Sequence, residues 1–454
     1  MIEAFPSFTT ALDRRLRPAA AAPLAVGFSG GGDSLALLIL TLAWARAHGR
    51  VVVSLTVDHR INPSSAAWTT DAVAKARALG AEARSLVWTG PKPAAGLSAA
   101  ARAARHALLA DAAREAGARV LLLGHTRDDL AEAALMRAEG STVSDPRAWS
   151  PSPAWPEGRG VFVLRPLLEV GRAELRAWLT ARGETWLDDP ANIDPRSARA
   201  RARRSLASAE SGLPPSAPSV TPTASAYEGG EGWLTLARDA PAAHVAAACL
   251  CAAGTTRPPR GERLQRLVAR IRTGDDFTAT LAGARIEASG EGVSFFREPG
   301  EDRRTPSPSS TVPPPVGEVA RRAGEGSDLT PAHSPLRRLR RHLPHEGRDL
   351  DETGDFELLP NQPLVWDGRW LLTTTEPGLT VRPLRGLAAR LPPAQRQALK
   401  ALPPAARPSL PAVVAADGTV SCPILAEAKT TRARCLVVDR FEAATGRVDQ
   451  EPAT

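Results

Sequence analysis

Six residues, Ser29-Gly30-Gly31-Gly32-Asp33-Ser34, lie between a strand-like run at 23–28 (PLAVGF) and an apolar helical stretch at 35–47. Glycines let a backbone take positive φ values and approach an anion closely. The start of the following helix offers free N–H groups and a partial positive charge. Ser29 and Ser34 add hydroxyl donors, so the segment suits a phosphate or pyrophosphate. It lacks the lysine of the Gly-x4-Gly-Lys-Ser/Thr loop, and Gly27-x-Ser29 breaks the dinucleotide pattern GxGxxG. Asp33 supplies the oxygen chemistry that a hard divalent cation prefers.

Other groups able to do chemistry follow. Val57-Asp58-His59-Arg60 ends a second strand-like run. Arg102 and Arg105, three apart in a helical stretch, share a face and suit phosphate oxygens. His125 precedes Arg127-Asp128-Asp129-Leu130-Ala131-Glu132, where Asp128 or Asp129 together with Glu132 puts two carboxylates on one helix face. Residues 196–204 contain Arg196, Arg199, Arg201, Arg203 and Arg204 without an acid, a pattern that suits a nucleic-acid backbone.

The elements that must position these groups alternate. Strand-like runs at 23–28, 51–58, 82–88 and 118–124 are separated by helical patterns near 33–48, 64–79 and 98–116, with another near 127–139. A further strand at 161–166 and a helix near 171–182 continue the series. Alternation of this kind predicts a doubly wound parallel sheet, with ligands at the carboxyl ends of its strands. Residues 140–160 are rich in Ser, Pro and Gly and read as a mobile insertion. Stretches 207–232 and 299–335 read as flexible linkers, because neither can bury much apolar surface. They divide the chain into 1–206, a small α+β piece at 233–298, and a mainly β or α+β piece at 336–454.

Composition bounds the setting. Lys and Arg total 57 against 49 acidic residues, a net charge of +8 that favours a polyanionic partner. Only four of the 57 are lysine, so arginine use is general and each single arginine carries less weight. Of the four cysteines none falls in the first 248 residues, and Cys249-x-Cys251 is too tight for usual zinc spacing. Both read as core residues of a protein in a reducing cytoplasm. Residues 1–17 hold Glu3 and Asp13 and no continuous apolar core, so no signal peptide is expected. No uncharged run approaches the ~18 apolar residues of a membrane span.

The loop at 29–34 resembles the SGGxDS signature of the PP-loop, or N-type ATP pyrophosphatase, superfamily. Further matches, in order, resemble the tRNA(Ile)-lysidine synthetase family: Asp58-His59, then Ala101-Arg102-Ala103-Ala104-Arg105 and Gly124-His125-Thr126-Arg127-Asp128-Asp129 with Glu132. Leu164-Arg165-Pro166-Leu167-Leu168 with Arg172 and Glu174 follows, then Asp188-Asp189-Pro190-Ala191-Asn192 with Arg199 and Arg203. His106, Leu130, Ala133 and Ala200 stand where the family usually has an aromatic residue, Gln, Thr and Asn.

The resemblance implies an enzyme that uses ATP and Mg²⁺ to adenylate O2 of the wobble cytidine in the CAU anticodon of tRNA(Ile). The ε-amine of L-lysine then displaces AMP, and codon reading changes from AUG to AUA. It implies that Ser29, Gly30, Gly31, Gly32, Asp33, Ser34, Asp58, His59, Arg102, Arg105 and His125 bind ATP. Asp33, Asp128, Asp129 and Glu132 would be catalytic, Asp33 would also meet the metal, and Arg199 and Arg203 would bind tRNA. The 233–298 piece would be the tRNA-binding domain. Arg337, Arg338, Arg340 and Arg341 would form a second phosphate contact, and a homodimer accords with the commonest form of assembly. A PP-loop tRNA thiolase and a non-catalytic nucleotide- or RNA-binding scaffold remain open at this level.

Overall fold

The structure is a computed structural model that describes residues 4–141, 146–188, 198–208, 227–299, 355–426 and 430–453. Residues Asp189, Asn192, Arg196, Arg337, Arg338, Arg340 and Arg341 therefore lie outside the described residues, as does nearly all of the expected second linker. The chain divides into two units.

The first unit begins with α1 (Pro6–Arg15), β1 (Leu24–Gly27), α2 (Gly32–Ala47), β2 (Val52–Asp58), α3 (Ser65–Ala78), β3 (Glu82–Val87), α4 (Leu97–Glu115) and β4 (Val120–Leu123). It continues with α5 (Arg127–Ala138), β5 (Trp149–Pro151), β6 (Phe162–Leu164), α6 (Arg172–Ala181) and α7 (Ala198–Ser208). The strands form one sheet in the order β3-β2-β1-β4-β6-β5, parallel except for β5. β1 and β4 are apolar on both faces because helices cover both sides. α2 is apolar nearly all round and is accordingly buried along most of its length. The order reverses between β1 and β4, the place where such sheets bind ligands.

Residues 146–160, expected as part of a mobile insertion, are ordered. β5 pairs with β6, and the Trp149 ring stacks on Phe162 at 4.9 Å. Trp155 in the same segment packs under the Arg440 guanidinium, so two large aromatics supply the apolar area that the Ser, Pro and Gly content hides.

The first unit continues with β7 (Tyr227–Gly230), β8 (Trp233–Ala237), α8 (Ala242–Ala252), α9 (Gly261–Arg272), β9 (Phe277–Leu281), β10 (Ala284–Ser289) and β11 (Gly292–Arg297). These make an antiparallel sheet ordered β7-β8-β11-β10-β9, with α8 packed across it and α9 beside α8. β7 falls inside the stretch expected as the first linker, and its hairpin with β8 pairs the end of that stretch into the sheet. Cys249 and Cys251 sit in this core, where burial pushes their thiols up to about 12 and about 11, so both are chemically quiet.

The second unit holds β12 (Phe356–Leu358), β13 (Leu364–Trp366), β14 (Trp370–Thr374), β15 (Leu379–Pro383), α10 (Pro393–Ala401), β16 (Pro411–Val414), β17 (Val420–Ser421) and most of β18 (Thr431–Cys435). Its sheets are ordered β12-β15-β16-β17 and β13-β14-β18. Within the piece expected at 336–454, Asp367–Arg369 and Cys435–Thr454 group with the first unit. α11 (Val437–Ala444) buries Val437 and Phe441 in the core of the 227–299 region, because its apolar residues fall on one face. The tail beyond it reaches the N-terminal region, where Glu451 is fully buried against Arg50 at 2.7 Å. No helix among the described residues is long and apolar enough to cross a membrane.

Candidate active site

The loop after β1 keeps its shape by its own hydroxyls. Ser34 Oγ donates to the Gly31 carbonyl at 2.9 Å and accepts from the Ser29 amide at 3.2 Å. Gly30 adopts φ +82°, a conformation that L side chains rarely take. No side chain caps the first turn of α2, so its amides and dipole remain available to an anion. Gly124, at the end of β4, allows a close approach, since a Cβ there would lie 3.0 Å from the Asp33 carbonyl. The ends of β1 and β4 therefore meet at the loop.

On the other side of the loop, the Leu187 amide donates to the Gly30 carbonyl at 2.9 Å. The Trp186 ring lies against Gly32, and its buried Nε1 makes no hydrogen bond. Neither residue was singled out from the sequence, where nothing marks a tryptophan beside the Asp188-Asp189-Pro190 motif as a neighbour of the loop.

Asp33, in the first turn of α2, is joined to the acids of α5 by one arginine. Arg172 Nε donates to Asp33 Oδ2 at 2.9 Å, and its Nη1 donates to Glu132 Oε1 at 3.0 Å. Its Nη2 lies 3.6 Å from Asp129 Oδ2, and its backbone amide donates to Asp128 Oδ2 at 2.8 Å. Burial alone would lower the affinity of Arg172 for its proton, but the surrounding carboxylates outweigh this and raise it. Burial pushes the Asp33 carboxyl above the usual carboxylate range, with Arg172 pulling the other way. Asp33 Oδ1 is buried and accepts no hydrogen bond.

The capping box of α5 fixes Asp129, whose Oδ2 accepts from the Thr126 amide at 2.8 Å. Glu132 is 1 % exposed and also lies 3.4 Å from Arg199 Nε and 2.9 Å from Arg203 Nε. The two arginines that the sequence marks for tRNA thus meet the acidic cluster.

Above β4 and β6 lies a group of bases. α4 contributes Arg102, Arg105 and His106, while His125 follows β4 and Arg165 follows β6. Burial and neighbouring arginines lower Arg105 and Arg165 to about 10 and His106 to about 2. His125 falls well below its ordinary value for the same reasons, so both imidazoles are neutral at pH 7.

Asp58 and His59 lie at the end of β2. Asp58 Oδ1 accepts from the Arg60 amide at 2.8 Å and from Ser65 Oγ at 2.7 Å, which holds the turn where Arg60 takes φ +50°. His59 stands edge-on to Trp88 with a buried, unpartnered Nδ1. Arg172 and Arg165 are the functional candidates that a residue-by-residue reading underweights. Their signal is the Leu164-Arg165-Pro166-Leu167-Leu168…Arg172 spacing, whose meaning appears only when the first turn of α6 meets that of α5.

Residues 6–210 match a family model described as a PP-loop domain. The chain is 52% identical to the tRNA(Ile)-lysidine synthase of Caulobacter vibrioides, over 98% of both chains. It is 38% identical to the tRNA(Ile)-lysidine synthase of Hyphomonas neptunium, covering 68% of this chain and 93% of that one. Among solved structures, a U34-tRNA thiolase from Methanococcus maripaludis shows a TM-score of 0.36 at 18% identity, covering 44% of this chain and 69% of that one. A near-complete match to relatives of one kind, carried on a PP-loop domain, makes the chain a member of the tRNA(Ile)-lysidine synthase family.

Proposed function

We propose that this chain ligates L-lysine to C2 of the wobble cytidine in the CAU anticodon of tRNA(Ile), with ATP converted to AMP and pyrophosphate. The observation that carries this reading is the meeting, through Arg172, of an uncapped phosphate loop with a cluster of carboxylates. The first serves an anionic leaving group, and the second serves an amine nucleophile.

The chemistry has two halves. Cytosine O2 attacks the α-phosphorus of ATP, and pyrophosphate departs toward residues 29–34. A ring carbonyl oxygen is a poor leaving group, and adenylation makes it a good one. The lysine ε-amine then attacks C2, the bond from C2 to the adenylated oxygen breaks, AMP leaves, and the nitrogen loses a proton. With a reference pKa near 10.4, only about one lysine in 10³ to 10⁴ carries a free amine at pH 7. Asp128, Asp129 and Glu132 are the groups that hold the amine and take its proton. Displacement of Arg172, Arg199 or Arg203 from them would free the carboxylates for this work.

A magnesium ion shared with nucleotide phosphates needs few protein carboxylates. The orphaned Asp33 Oδ1 fits that donor set, and the ion would neutralise charge building on the phosphates. The region 233–298 would hold the tRNA, with Arg263 and Arg266 exposed on α9 toward its backbone. The substrates set the reaction in the cytoplasm. The first 248 residues hold no cysteine, which leaves a thiol-based sulfur transfer from this domain without support.

ATP–pyrophosphate exchange tests the first half. Exchange that requires the CAU-anticodon tRNA and proceeds without lysine is the expected result. Exchange that ignores the tRNA would overturn adenylation of the RNA.

A further inference from the structure

Trp186 brings an unused donor to the phosphate loop. Its indole stands so close to Gly32, the first residue of α2, that a Cβ there would lie 3.4 Å from Cδ1 and Cγ and 3.5 Å from Cδ2 of the ring. These atoms belong to the pyrrole half of the indole, the half that carries Nε1. Three contacts hold the segment in place. The Leu187 amide donates to the Gly30 carbonyl at 2.9 Å, and Lys75 Nζ on α3 donates to Glu184 Oε2 at 2.6 Å. The Arg176 guanidinium on α6 lies 5.8 Å from the centre of the Trp186 ring and pairs with Asp188 at 3.1 Å. Yet Trp186 Nε1 is buried and donates to nothing. An indole N–H is a donor only, and a buried donor without an acceptor costs free energy until an acceptor arrives. At the residue after Gly32, Asp33 Oδ1 is a buried acceptor that accepts nothing, so the two orphans do not satisfy each other.

We propose that the Trp186 indole N–H donates to an oxygen of the pyrophosphate held at residues 29–34, making Trp186 a positioning residue for the leaving group. The inference rests on the reading that ATP is split to AMP and pyrophosphate at this loop. A ligand that completes both orphans must offer an acceptor oxygen to the indole and a cation to the carboxylate. Pyrophosphate carrying a divalent cation offers both, and Asp33 Oδ1 is already matched to that ion. The loop itself has no lysine, so its donors are backbone amides, serine hydroxyls and this indole, all of them neutral. Neutral donors recognise an anion by their direction, which a ring wedged between Gly32 and Arg176 can keep. The uncapped start of α2 supplies the remaining amides beside it.

The test measures binding of magnesium pyrophosphate and of AMP to the full-length protein by calorimetry, in the native form and in Trp186→Phe. Phenylalanine keeps an aromatic ring against Gly32 and removes the N–H. The expected result is a Kd for pyrophosphate raised about 10- to 100-fold, the usual loss for a hydrogen bond to a charged group. The Kd for AMP should not change, and the melting temperature of the variant shows whether its fold is kept. A second measurement reads the bond itself in the native protein. The indole N–H resonance of Trp186, assigned by its absence from Trp186→Phe or Trp186→Tyr, should move downfield with magnesium pyrophosphate and stay in place with AMP. A ring that only packs against the loop gives no such shift. Native affinity for pyrophosphate in Trp186→Phe, or a resonance that does not move when pyrophosphate binds, would overturn the proposal. Native protein that binds no pyrophosphate would instead contradict the reading of the loop, and the proposal with it.

Discussion

Arg172 Nε stands 2.9 Å from Asp33 Oδ2, which ties the start of α6 to the start of α2. The same guanidinium reaches Glu132, so one side chain from α6 holds the acids of two other helices. Removing it leaves partly buried carboxylates without their shared counter-charge. Arg172→Met should therefore destabilise the protein by about 3 kcal/mol, the scale for breaking a buried pair from one side. Pairing it with Asp33→Asn should cost less than the sum of the two single changes, because neighbours couple. Urea unfolding of the four proteins in the cycle measures both effects, and strict additivity would mean that the contact has no energetic weight.

His106 and His125 give the fold a pH dependence with a definite sign. Each imidazole binds its proton less readily when folded than when unfolded. The stability they contribute is complete above about pH 6.5 and falls as the pH drops below it, at up to about 1.4 kcal/mol per pH unit for each histidine. His106→Phe, which places an aromatic ring there, should flatten the fall between pH 6.5 and 5 by roughly one proton's worth. Urea unfolding across that range gives the slope, and an unchanged slope would show that His106 is not the neutral buried group described.

Glu451 is fully buried and Arg50 is 1 % exposed, with hydrogen bonds of 2.7 and 2.8 Å between them. Glu451 also accepts from the Arg17 amide at 3.1 Å. The tail after α11 is therefore part of the N-terminal region's structure, though it lies at the far end of the chain. Glu451→Ala should cost about 3–5 kcal/mol by stranding the Arg50 guanidinium. Arg50→Met combined with Glu451→Leu should recover much of that loss, as a packed apolar pair can replace a buried ion pair. Thermal unfolding would record this, and a Glu451→Ala protein as stable as native would detach the tail from the fold.

Apart from β5, the order of strands and helices in residues 20–182 was legible because apolar periodicity is a local property of the chain. The phosphate loop was legible for the same reason, since six adjacent residues carry it. What sequence alone hid depends on chain reversal. Arg172 and Glu132 meet only when the first turn of α6 comes up to that of α5, and no spacing rule predicts which carboxylate an arginine will take. Trp149 and Trp155 anchor a segment whose small residues suggested mobility, because two large packed rings outweigh them. Val437 and Phe441 join a core formed by residues more than 140 positions earlier, a pairing that only the folded chain displays.

The ligation reading is tested most directly by incubating the protein with ATP, Mg²⁺, radiolabelled lysine and a transcript of the CAU-anticodon isoleucine tRNA, beside an Asp33→Ala control. Label in acid-insoluble RNA that requires ATP and is absent in the control is the predicted result. Release of pyrophosphate with the tRNA but no lysine in the RNA would contradict it, by showing that the adenylated base awaits a different nucleophile.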